Sequence, residues 1–236
     1  MRKIMAIAQK ELSAYFRSPI AYIILILTIS IFNMFFFMII DENKEASLKS
    51  VFAVMEFMFI FIVPILTMRL FSEEIAMGTM ELLWTSPVSN TAIVLGKYLG
   101  ILVFYSIIIA MTFIYGGIIE CFGQPDRLTV LFGYLGIWLE GAFFLSVGMM
   151  TSSWTRNQLV SAITSYAVLF LLYFSISLMK YVSGTAEVVI RSLSTWTHLE
   201  NLSSGLITVA DPLYYLSGIM ICLVVTRLSI ENRLWK

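Results

Sequence analysis

The sequence predicts an all-α integral membrane protein with six transmembrane helices. Hydrophobic residues make up 59% of the 236-residue chain and charged residues only 13%, about half the charged share of an ordinary soluble domain. The apolar residues gather in six long runs, and about 20 apolar residues span a bilayer as a helix. Since six spans leave no room for a sizeable soluble domain, we expect residues 1–236 to form one transmembrane domain.

Short polar turns separate the six spans. We expect the spans at residues 19–40, 51–68, 98–119, 128–150, 159–179 and 213–229. An even number of spans places both termini on one side of the membrane. That side carries ten of the 15 lysines and arginines, so the positive-inside rule predicts that both termini are cytoplasmic.

Residues 1–18 precede the first span and carry an apolar stripe. Ile4, Ala8, Leu12 and Tyr15 recur at helical spacing. A helix with one apolar face and cations elsewhere is typical of a segment lying flat in the headgroup layer. This interpretation is favoured over the alternative, a plain cytoplasmic extension of the first span.

Residues 180–211, between the fifth and sixth spans, form an external stretch too long for a simple turn. Val189, Leu193 and Trp196 recur at helical spacing, and Leu199, Leu202, Leu206 and Val209 do so again. Two short re-entrant helices dipping into the outer leaflet fit this pattern, and a small external cap held by loops is the alternative. Either structure could gate a pathway, which makes Trp196 and His198 candidate gate residues.

The sequence predicts no catalytic, cofactor-binding or metal-binding residue. Its one Gly-Lys pair, Gly96-Lys97, is followed by Tyr98, whereas a phosphate-binding loop requires a Ser or Thr there. His198 is the single histidine, and a lone histidine at an interface is most often a hydrogen-bonding residue. Any ATP-driven work must therefore come from another chain.

Two acids fall within predicted spans, Glu56 in the second and Glu140 in the fourth. A carboxylate at the centre of a transmembrane helix costs about 2.5–3.5 kcal/mol on insertion scales, so it usually faces protein or a water-filled cavity. The functional interpretation is a substrate or proton site, with Glu140 as a possible pathway residue. The alternative is a helix–helix hydrogen bond or a protonated acid near an interface.

Residues 69–97 are the most informative segment, because they are acid-rich and helix-breaking yet lie between two apolar runs. Carboxylates and free backbone groups cannot remain in hydrocarbon, so this segment must lie at one membrane face. Ser72 can cap a short helix that begins with two acids. Gly78 can break that helix, and Ser89 can cap the third span. A solvated loop is the alternative.

A set of motifs in and around this segment resembles the ABC-2 type permeases, the membrane subunits of one class of ATP-driven exporters. The residues that carry the resemblance are Arg69, Glu73, Glu74, Gly78, Thr79, Glu81, Leu82, Leu83, Ser86, Pro87, Gly96 and Lys97. Further support comes from Lys10-Glu11, Arg17-Ser18-Pro19, Ser153, Arg156-Asn157-Gln158 and Asn232-Arg233-Leu234-Trp235. Within the family, the chain is most similar to permeases associated with gliding motility.

The resemblance implies a half-transporter in a bacterial inner (plasma) membrane. It would pair with a second permease, identical or different, and with two ABC ATP-binding subunits that hold ATP and Mg. Residues 69–97 would form the cytoplasmic coupling segment. The residues expected to couple to the motor are Glu73, Glu74, Gly78, Thr79, Glu81 and Arg156.

Two functions compete at this point. The favoured one is a permease subunit that couples ATP hydrolysis to movement of a cargo. The other is a membrane scaffold or force-transducing subunit of a larger gliding or secretion machine, through which no cargo passes. The net charge is zero, so the composition indicates no nucleic acid partner, and membrane lipid is the expected surrounding.

Overall fold

The computed structural model describes residues 2–43, 47–80, 88–177, 184–206 and 208–233, and these are almost entirely helical. The helices described here are α1 Arg2–Arg17, α2 Pro19–Asn43, α3 Lys49–Thr67, α4 Ser72–Ala76, α5 Asn90–Thr112, α6 Ile114–Phe122, α7 Arg127–Trp154, α8 Gln158–Phe174, α9 Thr185–Leu193, α10 Thr195–Ser203 and α11 Ala210–Arg233.

Six stretches are long and apolar enough to cross a membrane, which confirms the predicted fold class. They are Pro19–Asp41, Lys49–Ala76, Asn90–Cys121, Arg127–Trp154, Gln158–Ser177 and Ala210–Arg233. The third span, α5, begins at Asn90 and not at the predicted residue 98. The prediction began this span only after Lys97, because hydropathy counts a lysine as polar. In the structure, α5 includes Lys97, and the lysine's charge is paired inside the protein.

Helix α7 lies at the centre of the bundle. In its most apolar stretch, 72% of the residues are buried inside the protein, compared with 17% for α2 and 28% for α8. Helices α3, α5, α8, α10 and α11 all pack against it. The peripheral helices α2 and α8 therefore present most of their apolar surface outward, as expected for helices facing lipid or another membrane chain.

Helix α1 packs along the first turns of α5. Gly96 and Gly100, four residues apart on α5, allow the close approach: an added Cβ would lie 2.6 Å from the Ile7 Cβ at Gly96 and 2.8 Å from the Glu11 Cβ at Gly100. Ala8 is buried in this contact. The predicted stripe is thus a real helix face, but it faces α5. The flat interfacial position remains a prediction.

Helices α9 and α10 occupy the predicted external segment, of which residues 180–183 and 207 lie outside the described part of the chain. The helices break at Ser194, so Trp196 lies in the first turn of α10 and does not extend the stripe of Val189 and Leu193. Leu199 and Leu202 of α10 are buried against α7. The second predicted stripe is therefore only half correct: Leu206 and Val209 lie beyond the end of α10 at Ser203 and are exposed. Val189 and Leu193 of α9 are exposed as well.

Candidate functional site

One end of the bundle, the α4 end, contains a buried ion cluster. The ammonium of Lys97 on α5 lies 2.9 Å from Glu11 Oε1 on α1 and 2.8 Å from Glu74 Oε1 on α4, and the Lys97 side chain is only 3% exposed. The same ammonium lies 5.3 Å from the centroid of the Phe71 ring, within cation–π range. This Lys97 cluster (Lys97, Glu11 and Glu74) joins three helices by charge.

Glu73, the neighbour of Glu74, points to a different environment. It accepts two hydrogen bonds from the Arg69 guanidinium, at 2.8 and 3.2 Å, and its side chain is 30% exposed. A carboxylate held in this way keeps a fixed direction while remaining reachable from outside. The two acids of the predicted coupling helix thus have different surroundings: Glu74 is engaged inside the protein and Glu73 borders its surface.

The start of α4 is capped from another helix. Ser72 was expected to be the cap, but α4 begins at Ser72 itself, and its hydroxyl donates to the Met68 carbonyl. The Ser152 hydroxyl at the end of α7 accepts hydrogen bonds from Phe71 N and Ser72 N, each 3.1 Å long, and donates to Met68 O at 3.0 Å. It therefore satisfies amide groups that a helix start leaves unpaired.

The end of α4 follows the prediction. The helix ends at Ala76, and Gly78 adopts φ +71°, a left-handed conformation that glycine tolerates best. The Thr79 hydroxyl donates to Glu74 O at 3.4 Å. Ser89 caps α5 by accepting from Ala92 N at 3.3 Å, as expected. Glu81 lies outside the described residues.

The turn between α7 and α8 lies at the same end. Arg156 in this turn is exposed. Arg233, near the end of α11, donates to Trp154 O at 2.7 Å and to Ser153 O at 3.2 Å. The described N-terminal and C-terminal helices therefore share the α4 end, together with every coupling residue of the prediction that the structure describes.

A cavity of about 300 Å³ opens at the α4 end between α1, α2, α3 and α4. Its walls combine charged residues, including Arg69, Glu73 and Lys97, with apolar ones such as Ile24. Tyr15 borders it and donates a 2.8 Å hydrogen bond to Leu66 O. Burial raises the pKa of Tyr15 well above its usual range, so this hydroxyl remains a neutral donor.

The opposite end, the α10 end, contains a second polar cluster. Glu56 on α3 and Glu140 on α7 are each about 1% exposed, and their carboxyl groups lie within hydrogen-bonding reach of each other. Thr195 of α10 lies beside Glu56. Trp196 borders a void of about 30 Å³ next to Glu56. The sequence placed these acids in separate spans and gave no signal that they meet.

His198 holds three helices together at the α10 end. Its Nδ1 lies 2.6 Å from Asp211 Oδ1 on α11, and its Nε2 lies 3.2 Å from Ser192 O on α9. The ring stacks on Tyr214, with centroids 4.1 Å apart. Both polar neighbours are acceptors, so both contacts are hydrogen bonds at once only when the ring carries two protons. From its position on α10, His198 contacts both α9 and α11.

The comparison with known families matches most of the chain. The profile described as "ABC-2 family transporter protein" matches residues 5–207, a range that includes the Lys97 cluster, α4 and the carboxyl pair at the α10 end. No curated protein matches the chain at a significant level.

Proposed function

Because the chain belongs to the ABC-2 transporter family, we propose that it is the transmembrane permease subunit of an ATP-driven exporter. A separate ABC subunit would bind ATP and Mg and hydrolyse the nucleotide. This chain would convert the resulting motion into movement of a cargo across the membrane.

The Lys97 cluster is the observation that carries this proposal. A partner pressing on α4 would move Glu74, and the charge contacts of Lys97 would pass that displacement to α1 and α5. Ser152 provides a second link, from the start of α4 to the central helix α7. Buried ion pairs resist separation because an isolated charge is costly. The contacts therefore favour a rigid-body response over a local one.

The contact surface for the ATP-binding subunit would be the exposed part of the α4 end. Glu73 and Arg156 would meet the motor directly, Gly78 and Thr79 would shape the turn that it grips, and Glu81 would add an acid from the segment that follows. Glu74 would transmit motion through Lys97. This refines the expectation from the sequence, in which both acids of α4 contact the motor.

The arrangement of the ends supports a cytoplasmic position for both termini in a bacterial inner membrane. The α4 end carries the described parts of both termini and most of the cations. The outward apolar faces of α2 and α8 would contact lipid and a second permease, identical or different. An exporter linked to gliding motility is the more specific form of the proposal, drawn from the sequence resemblance.

Switching such a transporter requires differential energy. ATP binding must favour one membrane conformation over the other by several kcal/mol, about 5.5 kcal/mol for a change from 1:99 to 99:1. A motor that bound both conformations equally would move nothing. The α4 end would therefore bind the motor more tightly in one conformation than in the other.

Purification of this chain with its ATP-binding subunit, followed by reconstitution into liposomes, would test the proposal. We expect Glu73→Lys to leave membrane insertion intact and to lower motor binding or motor-driven transport at least tenfold. Reversal of Glu73, Glu74 and Glu81 together should abolish coupling.

Glu120→Lys is the matched control. Glu120 is also a glutamate paired with an arginine, Arg127, at 3.0 Å, and it is 46% exposed, but it lies away from the α4 end. Full motor-driven activity in the triple variant would contradict the coupling assignment. Recovery of the chain with a motor but without any cargo movement would favour the force-transducing scaffold.

A further inference from the structure

The carboxyl pair, Glu56 and Glu140, is buried, and among the described residues no cation pairs with either carboxyl group. One oxygen of each glutamate has no hydrogen-bond partner among the described residues, and neither does the Thr195 hydroxyl. Native proteins satisfy nearly all buried polar atoms. Three such atoms lie on α3, α7 and α10, and a bound group that hydrogen-bonds to them would satisfy them.

The charged and titratable groups around the pair limit which ligand it can bind. The titratable groups that face it are Lys49 on α3, Tyr105 on α5, Tyr173 on α8, Glu200 on α10, and Tyr214 and Tyr215 on α11. Lys49 is the single cation among them, and it pairs with Glu200 at 3.4 Å, where both side chains are about half exposed. Asp211 and His198, one layer further out, pair with each other.

Two ionised carboxylates placed together in an apolar interior repel each other strongly, and each pays a desolvation cost. A proton between them removes one charge and provides a donor that lies between the two acceptors. The Thr195 hydroxyl beside Glu56 can also donate one hydrogen bond, but it carries no positive charge, so it does not relieve the repulsion between the two carboxylates.

A route for the proton is present as well. The void next to Glu56 has a volume of about 30 Å³ and is bordered by Lys49, Trp196 and Glu200. A space of this size holds one water molecule. Because the Lys49–Glu200 pair is half exposed, one water in the void would connect Glu56 to solvent at the α10 end.

We propose that Glu56 and Glu140 form a proton-binding site, in which the two carboxyl groups share one proton that exchanges through the void at the α10 end. With the proton bound, α10 packs over the pair through Thr195. Without it, two like charges lie beneath α10 and favour its separation from α3 and α7. The site is independent of the proposed ATP-driven function, because it needs no motor subunit.

Labelling with dicyclohexylcarbodiimide would test this directly in membrane vesicles containing the full-length chain. This apolar reagent adds to protonated carboxyl groups in apolar surroundings, and peptide mass spectrometry locates the adduct. We expect adducts at Glu56 or Glu140 at neutral pH, where the solvent-exposed carboxyl of Glu120 stays unlabelled. Above its half-point, the labelling rate should fall about tenfold per pH unit.

The variant Glu140→Gln distinguishes a shared proton from a single protonated acid. Removing the neighbouring carboxyl favours ionisation of Glu56, so the half-point for Glu56 labelling should move to lower pH, and Glu120→Gln should leave it unchanged. An unshifted half-point would overturn the sharing. Absence of labelling on both glutamates in the unmodified chain would overturn the site. Protection by Na⁺, Mg²⁺ or Ca²⁺ at fixed pH would replace it with a metal-ion site.

Discussion

At the α4 end a buried lysine lies between two glutamates, whereas at the α10 end two buried glutamates lie together and no described lysine lies between them. Both clusters join three helices, and both draw their acids from distant parts of the chain. The first has a cation hydrogen-bonded to both of its carboxylates, which leaves one net negative charge, and it acts as a joint that holds α1, α4 and α5 together. The second has no paired cation among the described residues, so its stability depends on what it binds. In our proposals, the α4 end transmits force from a motor subunit and the α10 end binds a proton.

The largest expected effect tests the Lys97 cluster. Lys97→Met leaves Glu11 and Glu74 buried without their cation, which should cost about 3–5 kcal/mol of unfolding free energy. Unfolding of the full-length chain in mixed detergent micelles would measure it. Adding Glu11→Gln and Glu74→Gln to the same variant should restore most of the loss. A Lys97→Met protein as stable as the original would show that the cluster is not a joint.

Replacing one acid in each cluster compares the two ends directly. Glu74→Gln removes a charge-assisted hydrogen bond and should destabilise by about 1.5–3 kcal/mol. Glu140→Gln replaces one carboxyl of a pair that shares a single proton by a neutral amide, which can still donate a hydrogen bond to Glu56, so the change should be neutral or stabilising. The same unfolding measurement applies to both variants, and equal losses would remove the distinction between the ends.

The variant Ser152→Ala tests whether the contacts that hold α4 in place extend to α7. The change leaves two amide groups at the start of α4 without their acceptor, so we expect a loss of about 1–3 kcal/mol and faster hydrogen exchange at Phe71 and Ser72. Ser217→Ala is the control, because its exposed hydroxyl donates to a carbonyl of its own helix. If exchange at α4 is unchanged, α7 does not hold this helix.

The smallest effect is expected at the surface of the α10 end. Lys49→Ala removes the half-exposed pair with Glu200 and should change stability by about 0–1 kcal/mol, with the difference vanishing at high salt. Thermal unfolding at two salt concentrations would measure it. A large loss that is insensitive to salt would mean that Lys49 compensates the carboxyl pair, contrary to the proton-binding proposal.

Much of the fold was predictable because it depends on local sequence. Run length alone predicted six spans, and Gly78 and Ser89 marked a helix end and a helix start correctly. The prediction for Ser72 was wrong because the atom that caps α4 comes from Ser152, 80 residues away. The early start of α5 was missed for a related reason: hydropathy treats Lys97 as an isolated charge, whereas the folded chain pairs it twice.

For the candidate sites too, one part was predictable from the sequence and another part was not. The sequence by itself determined which end of the bundle carries the acid-rich segment, because alternating spans and turns sort residues between the two membrane faces. Only the tertiary structure decided which of its acids is engaged, because Glu11 and Lys97 meet across 86 residues. It likewise brought Glu56 to Glu140. Ion pairs and hydrogen bonds form only when the two groups come within a few ångströms of each other. The packing between helices sets those distances, and a local sequence pattern does not contain them.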